Sequence, residues 1–180
     1  MADTPTLTTP RLTLREWRDQ DRAPFALMNA DPRVMEYFPA VMDEAQSDAL
    51  VDYIIEGWRR GYGLWAVEEK DSRRFIGFVG LMSPAWEAHF TPCVEIGWRL
   101  SADAWGRGYA TEAAERCVSW ARMYVDAPRG ELVSFTTLSN ERSRRVMEKL
   151  GFTYDEADDF DHPLTPKWEL RRHALYRLKL

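Results

Sequence analysis

Cysteine is scarce in this sequence, which contains only Cys93 and Cys117. Two isolated cysteines are too few for a disulfide framework, and they lack the paired spacing of a zinc site. Each lies in an apolar periodic segment, where a buried free thiol is the usual role. We therefore expect both cysteines to be structural, and we expect no metal site.

The sequence also lacks a long apolar run and an excess of positive charge. No stretch approaches the roughly 20 apolar residues that span a bilayer, and the first ten residues lack the regions of a signal peptide. The 24 basic residues are outnumbered by 29 acidic ones, which gives a formal charge of −5. These features disfavour nucleic-acid and membrane partners and predict a cytoplasmic protein.

Apolar residues are abundant: 45% of the 180 residues are hydrophobic, enough for one globular domain over 1–180. Alternating or apolar segments predict strands over 11–17, 63–69, 74–82, 92–100, 132–138 and 173–180. Helical periodicity predicts helices over 22–29, 32–38, 47–60, 109–125 and 141–150. The acidic, proline-containing segment 154–167 is expected to be a loop or lid outside the core.

The most informative segment is the turn between the strand over 92–100 and the helix over 109–125. Gly106 and Gly108 lack a Cβ, so the main chain can take positive φ and approach a ligand closely. The unpaired N–H groups and the dipole of the following helix favour an anion, and Arg107 adds a charge. An ordinary connecting loop is the alternative. The signatures of Walker and dinucleotide-binding loops are absent.

A series of motifs occurs in an order that resembles the GNAT family of acetyl-CoA-dependent N-acetyltransferases. The motifs are RLTLREW, FIGFVGL, EIGWRL, WGRGYATEA, SNERSRRVMEKLGF, DFDHP and RRHALYRL. They are most similar to the bacterial branch that includes the ribosomal-protein N-terminal acetyltransferases. The resemblance implies an α/β fold with a central mixed, mostly antiparallel sheet, which is splayed between its middle strands and flanked by helices.

The resemblance also implies where acetyl-CoA, as cosubstrate, would bind. The family's pyrophosphate pattern falls on 105–110, with Trp105 in place of the usual Gln or Arg. The splayed strand would offer backbone groups to the pantetheine arm. Asn140 would contact the cofactor, although Asn is also a preferred helix N-cap. The implied cofactor-binding residues are Trp98, Leu100, Trp105, Gly106, Arg107, Gly108, Tyr109, Ala110, Thr111, Asn140 and Ser143.

Acetylation of an amine requires a base, and Glu95 is the candidate because it lies in an otherwise apolar strand near the implied acyl site. Partial burial would raise the pKa of its carboxyl toward that of a general base. Alternatively, Glu95 pairs with an Arg or faces solvent and takes no part in catalysis. Main-chain N–H groups at 97–99 are the candidate donors to the oxyanion.

The leaving-group side departs from the family pattern, in which many members place a Tyr seven positions after the Asn. Met147 occupies that position here and cannot donate a proton. Ser143 lies one turn earlier on the same helix face. Its hydroxyl, or a water that it holds, is therefore the candidate to hydrogen-bond the leaving thiolate.

The acceptor leaves fewer signals in the sequence. An α-amino group, with a pKa of about 7.7–8.0, needs less help from a base than a lysine amine, whose pKa is about 10.4. Aromatic residues and one histidine are candidates for a substrate pocket, although such residues are usually core. These candidates are Tyr37, Phe38, Trp86, Phe90 and His162. The run Asp158, Asp159 and Asp161 either attracts a cationic acceptor or is solvated.

The sequence thus predicts an N-acetyltransferase, monomeric or homodimeric, that moves an acetyl group from acetyl-CoA to a primary amine in a ternary complex. The amine belongs to a protein N-terminus or to a small molecule. Two alternatives stay open. One is a non-catalytic acyl-CoA-binding or sensing module, suggested by Trp105 and Met147. The other is a mononucleotide-binding protein that uses the same glycine turn for phosphate.

Overall fold

The computed structural model describes residues 4–165 and 168–180. The helices are α1 (Arg22–Ala30), α2 (Glu44–Gly57), α3 (Tyr109–Tyr124) and α4 (Glu141–Lys149). The strands are β1 (Leu7–Thr8), β2 (Leu12–Arg15), β3 (Leu64–Glu69), β4 (Phe75–Met82), β5 (Val94–Leu100), β6 (Glu131–Thr137), β7 (Thr153–Tyr154), β8 (Phe160–Asp161) and β9 (Arg172–Lys179). No helix in the described ranges is both long and apolar enough to cross a membrane.

The strands form one sheet in the order β1-β2-β3-β4-β5-β6-β9-β7, with β8 paired to β9. β5 and β6 run parallel, and the other pairs of described strands are antiparallel. The predicted mixed, mostly antiparallel sheet is therefore confirmed. The parallel pair lies in the middle of the sheet and divides it into two halves.

Helices cover both faces of this sheet. The buried small residues Ala113, Ala114 and Cys117 of α3 pack in one apolar cluster with β5. On the opposite face, Phe25 of α1 and Ile54 of α2 pack in a second cluster with β3 and β4. Both cysteines are buried and free, as predicted, and burial raises the pKa of both thiols. The sheet therefore separates two cores.

Most of the predicted elements are confirmed, with shifted ends. The helix predicted over 47–60 begins at Glu44 because Asp43 and Gln46 form a capping box. Asp43 Oδ1 accepts the Gln46 N–H at 2.8 Å, and Gln46 Oε1 accepts the Asp43 N–H at 3.0 Å. After α2, a short 3₁₀ turn ends at Gly61, whose φ of +85° suits glycine.

The helix predicted over 32–38 is wrong, because this segment forms consecutive turns. The N–H groups of Val34 and Met35 both bond to the carbonyl of Asp31, and both side chains are buried with α1 and α2. The Asp31 carboxylate accepts the Arg33 N–H at 2.9 Å. Local bonding of this kind competes with helix formation.

The segment 154–167 was predicted to lie outside the core, and this is wrong at Phe160. That residue lies in β8, pairs with His173 of β9 and is only 6% exposed. Its ring lies 4.8 Å from that of Phe90, between centroids. One buried aromatic thus anchors an otherwise acidic segment. Residues 166 and 167 lie outside the described residues.

Candidate active site

A cleft of about 650 Å³ opens in the middle of the sheet, bounded by β5, β6 and the first turns of α3 and α4. Glu95 is the only carboxylate among the described residues that line it. The basic lining residues are Arg33, Arg99, Arg142, Arg145 and Lys149. Three of these five already pair with carboxylates outside the lining: Arg33 with Asp31, Arg142 with Glu36 and Arg145 with Glu141. Arg99 and Lys149 have no described carboxylate partner, so they are the lining cations that favour an anionic ligand.

The cleft exists because β5 and β6 pair only where they begin. Val94 aligns with Leu132 and Glu95 aligns with Val133, and these two described strands pair no further. One residue later, the carbonyl of Ile96 accepts a hydrogen bond from the Ser134 hydroxyl at 2.9 Å. A side chain thus occupies an acceptor that a continuing ladder would use. The predicted splay between the middle strands is confirmed.

The divergence leaves the main-chain groups of Trp98 without a partner strand. The Ser101 N–H bonds to the Ile76 carbonyl at 2.9 Å in the antiparallel register of β4 and β5. Because hydrogen-bonded pairs alternate, Gly97 and Arg99 also direct their N–H and C=O groups toward β4. Trp98 directs its own groups into the gap. Of the N–H groups at 97–99 that were predicted as oxyanion donors, only that of Trp98 is therefore directed into the gap.

Trp105 connects three elements at the end of β5. Its indole N–H donates to the carbonyl of Leu100 at 2.9 Å. The guanidinium of Arg142, on α4, lies 4.3 Å from its ring centroid. Arg142 also pairs with Glu36 at 2.7 Å. Trp105, which stands where the family usually has Gln or Arg, therefore stabilises the cleft wall through its ring. Its indole N–H also uses the Leu100 carbonyl as an acceptor.

The glycine turn presents unpaired amides to the cleft. Gly106 and Gly108 have φ of +74° and +79°, in the left-handed region that glycine adopts at little cost. The first backbone bond of α3 joins the Glu112 N–H to the Gly108 carbonyl at 3.0 Å. The N–H groups of 109–111 thus have no acceptor within the helix, and these residues line the cleft. This is the local structure of an anion site.

Arg107 is not among the residues that line the cleft, which differs from its predicted role. Its Nη1 pairs with Glu69 Oε1 at 3.2 Å, and the same oxygen accepts the Tyr109 hydroxyl at 2.5 Å. Arg11 Nη1 donates to the Arg107 carbonyl at 2.9 Å. Arg107 therefore braces the turn from outside, because its guanidinium already has a partner there.

Asn140 is the N-cap of α4. Its Oδ1 accepts the Ser143 N–H at 3.2 Å, and its Nδ2 donates to Thr136 Oγ1 at 2.9 Å. Both ends of the amide are thus engaged within the protein, so Asn140 positions α4. The Ser143 hydroxyl lines the cleft and bonds to no other described residue, and the buried Met147 lines it one turn later.

Sequence reasoning missed the basic row on α4. Arg142, Arg145 and Lys149 all line the cleft. Their spacing of three and then four residues places them on one face of a helix, and this spacing is visible in the sequence. Arg142 and Arg145 already pair with Glu36 and Glu141, each at 2.7 Å, whereas Lys149 has no described carboxylate partner. The row therefore offers one unpaired cation and two paired guanidiniums to a ligand with several phosphates.

Glu95 lies half-buried on β5, with its side chain on the face opposite α3. It forms no ion pair or hydrogen bond with another described residue, so the predicted alternative of an Arg partner is wrong. Burial alone raises the pKa of its carboxyl to about 8. Gly97 follows on the same face, and Glu95 Oε1 lies 3.6 Å from the point where a Cβ would stand. The carboxyl therefore borders open space.

Tyr37, Phe38 and His162 line the cleft, whereas Trp86 and Phe90 do not. Phe90 is fully buried, and the centroid of its ring lies 5.8 Å from that of Trp86. These two rings form an aromatic core behind the wall. They are therefore removed from the predicted substrate pocket, while the role of the other three stays a prediction.

His162 is a neutral donor near pH 7. Burial, together with the neighbouring His173, lowers the pKa of its imidazole to about 4. Its Nδ1 accepts the Leu164 N–H at 3.3 Å, so the ring proton of the neutral form lies on Nε2. This state fits the predicted place of His162 in a substrate pocket.

The acidic run does not face the cleft. Its side chains are bound to protein partners instead, so the run matches neither prediction: it does not line the cleft, and its carboxylates are not simply solvated. The contacts are Asp158 with Arg177 at 2.7 Å, Asp161 with Arg171 at 3.2 Å, and Asp159 with the Tyr154 hydroxyl at 3.1 Å.

Comparisons with known proteins agree with this geometry. The family profile of the acetyltransferase (GNAT) domain matches residues 11–153. The uncharacterised protein YkkB of Bacillus subtilis is 33% identical over 153 residues, which cover 83% of this chain and 86% of YkkB. The crystal structure of an acetyltransferase from Agrobacterium tumefaciens is 28% identical with a TM-score of 0.78, covering 100% of this chain and 97% of that chain.

RimL, a ribosomal L7/L12 α-N-protein acetyltransferase solved in complex with coenzyme A, has a TM-score of 0.74. The alignment covers 96% of each chain at 13% identity. At this identity the likeness shows a common fold alone. The predicted similarity to the ribosomal-protein branch is therefore consistent with the architecture and says nothing further about the acceptor.

Proposed function

The chain belongs to the GNAT acetyltransferase family, and from this premise we propose that it moves an acetyl group from acetyl-CoA to a primary amine by direct attack in a ternary complex. Acetyl-CoA is the cosubstrate and supplies an activated thioester. The residues present fit it. The unpaired amides at 109–111 and the basic row on α4 suit its phosphates, and the open edge at Trp98 suits its pantetheine amides.

One observation carries the proposal: β5 presents an isolated carboxyl and a free main-chain N–H to the same cleft. Glu95, with a pKa of about 8, is poised to take a proton from the amine, directly or through one water. The Trp98 N–H is the donor to the negative charge that develops on the acetyl oxygen. Most of the rate enhancement then comes from positioning and electrostatics.

The leaving thiolate needs little help, because a thiol pKa of about 8.5 makes it a tolerable leaving group. Ser143 is the candidate to hydrogen-bond it, since this residue lines the cleft one turn before Met147. In this proposal Ser143 stabilises the thiolate and does not transfer a proton. Asn140 positions the helix that carries Ser143.

The proposal is tested by measuring release of free thiol from acetyl-CoA with amino acids, amino acid amides, polyamines, aminoglycosides and short peptides. Thermal stabilisation by acetyl-CoA and by ATP is measured in parallel. We expect stabilisation by acetyl-CoA and amine-dependent thiol release. Binding of acetyl-CoA without release by any amine would instead support the sensing module, and stabilisation by ATP alone would support a mononucleotide-binding protein.

Two matched glycine variants test the cofactor turn. Gly108→Ala and Gly151→Ala each force an alanine into the left-handed region, at φ of +79° and +84°, and each should cost about 1–2 kcal/mol of stability. Gly151 is not among the lining residues. Only Gly108→Ala should raise the KM for acetyl-CoA, by roughly fivefold or more, because it alone displaces amides at the anion site. Equal KM values for the two variants would contradict the assignment.

A further inference from the structure

Arg99 is a cation in the wall of the cleft that has no anionic partner. It lies on β5, on the same face as Glu95, and is half-buried. Its Nη1 donates to Asn29 Oδ1 at 2.8 Å. The rings of Phe38 and Phe78 lie 4.2 Å and 5.5 Å from the guanidinium carbon. No described carboxylate pairs with it, although most arginines of this protein that are described have one.

The donors of this guanidinium are only partly used. Nε is buried without a hydrogen-bond partner, and Nη2 donates to no described acceptor. Burial lowers the pKa of Arg99 to about 10, so the side chain is still charged at pH 7. A buried charge is costly unless it is paired, and a planar guanidinium is suited to a carboxylate. The guanidinium of Arg99 therefore has unused donors that suit an anion.

The position of Arg99 favours an anion on the acceptor. Side chains at alternate positions of β5 leave opposite faces of the sheet. Trp98 and Leu100 pack with α3, which begins at the glycine turn. Arg99 instead faces Asn29 of α1 and Phe38. Between Glu95 and Arg99 this face of β5 carries only Gly97, so no side chain of β5 separates the carboxyl from the guanidinium.

We propose that Arg99 binds a carboxylate of the acceptor, so that the acceptor is an amino acid or a related molecule that carries both an amine and a carboxylate. This inference rests on the proposed acetyltransferase function and names its substrate class. The amine lies toward Glu95 and the carboxylate toward Arg99. A polyamine has no anion to pair with the Arg99 guanidinium, so it does not meet this requirement of the site.

The test compares acceptors that differ only in this charge. Thiol release is measured with L-amino acids, β-alanine and 4-aminobutyrate, each against its own carboxamide. The wild type is compared with Arg99→Met, Arg99→Gln and the conservative Arg99→Lys. Arg33→Met is the matched control, since Arg33 lines the cleft but already pairs with Asp31 at 2.6 Å.

We expect the wild type to prefer at least one acid over its amide by roughly tenfold or more in kcat/KM, since a site built for a polar group rejects the analogue that lacks it. Arg99→Met and Arg99→Gln should abolish this preference by losing activity toward the acid alone. Arg99→Lys should retain part of it, and Arg33→Met all of it. If both neutral variants fail to fold, Arg99→Lys must still weaken the preference.

Two results would overturn the inference while leaving the acetyltransferase function intact. One is thiol release by the wild type without preference for any acid. The other is a preference that survives in both neutral variants, for example when they raise the KM for acetyl-CoA and weaken acid and amide equally. The second result would assign Arg99 to the cosubstrate.

If no acceptor releases thiol, the proposed function fails and a binding arm still decides the inference. Calorimetry with protein saturated with coenzyme A then compares N-acetylglycine and N-acetyl-β-alanine with their amides. Tighter binding of an acid that is lost in Arg99→Met supports the anion site. Equal or absent binding of acids and amides overturns it.

Discussion

Two groups of ionisable side chains lie on the same sheet, one buried and one half-buried, and they differ in whether each group has a partner of opposite charge. At the junction of β2, β3 and α1, Arg15 is buried between Asp21 and Glu68, and each of the three is at most 4% exposed. The guanidinium donates to both Asp21 oxygens at 2.7 and 2.9 Å and to Glu68 at 2.8 Å. Every charge in this group faces a partner, which is the arrangement that a structural network requires.

The second group is in the cleft, where Glu95 and Arg99 lie four residues apart on β5 without a described counter-ion for either. Burial raises the pKa of Glu95 to about 8 and lowers that of Arg99 to about 10. This arrangement does not stabilise the fold, because both side chains lose hydration and gain few hydrogen bonds or ion pairs in return. The paired charges of the first group therefore suit a structural role, whereas the unpaired groups in the cleft support the substrate-binding roles that we propose for them.

Removing one member of the paired group should have the largest effect on stability. Asp21→Ala leaves Arg15 buried with one of its two carboxylates missing, and we expect the free energy of unfolding to fall by about 3–5 kcal/mol. Urea denaturation measures this loss. Thiol release should be retained below the melting temperature, because Asp21 does not line the cleft. A loss under 1 kcal/mol would remove the contrast between the two groups.

Neutralising Glu95 should instead stabilise the protein in a pH-dependent way. The pKa of Glu95 in the folded state, about 8, lies above the ordinary value of 4.5. Its contribution to the free energy of unfolding is therefore fully present below about pH 4.5 and is lost as pH rises to about 8. Glu95→Gln avoids this loss. Relative to the wild type, the variant should therefore gain at least ~2 kcal/mol between pH 5 and pH 8.5, since one pKa unit is worth about 1.4 kcal/mol.

Denaturation of both proteins across this pH range measures the gain. A constant difference between wild type and Glu95→Gln would mean that the carboxyl is solvated or paired.

Arg99→Met should have the smallest effect on the free energy of unfolding. Methionine removes the unpaired cation, but Asn29 Oδ1 loses its donor, and we expect a net cost of about 1–2 kcal/mol. Arg15→Met is the matched comparison at the paired group and should cost more. Equal losses in the two variants, measured by denaturation, would contradict the view that Arg99 is held for a ligand.

The sequence predicted those parts of the fold that depend on local patterns. The glycines at 106 and 108, the Asn140 cap and the apolar periodicity of α3 all act within one turn or one strand. The helix predicted over 32–38 is absent because the N–H groups of 33–35 bond to Asp31, a local alternative that apolar periodicity does not reveal. Phe160 was missed for a different reason, since its partners lie in β9 and in the loop before β5.

In the candidate site too, features that depend on local sequence could be predicted, whereas features that depend on long-range contacts could not. Glu95 could be singled out because a carboxyl in an apolar strand is visible locally. The unpaired state of Arg99 could not, because its contacts with Asn29 and Phe38 join residues 70 and more than 60 positions apart. The outward position of Arg107 likewise depends on Glu69, a long-range partner that no local pattern indicates.

The base that we propose for acetyl transfer is the isolated Glu95 carboxyl. The most direct test of this role is the pH dependence of kcat/KM for an acceptor at saturating acetyl-CoA, measured with a weakly basic amine that is already neutral above pH 7. For the wild type, kcat/KM should rise as pH passes through about 8, and Glu95→Gln should lose this rise and about 10²–10⁴ of the rate. A variant with wild-type rates and the same pH profile would contradict the account.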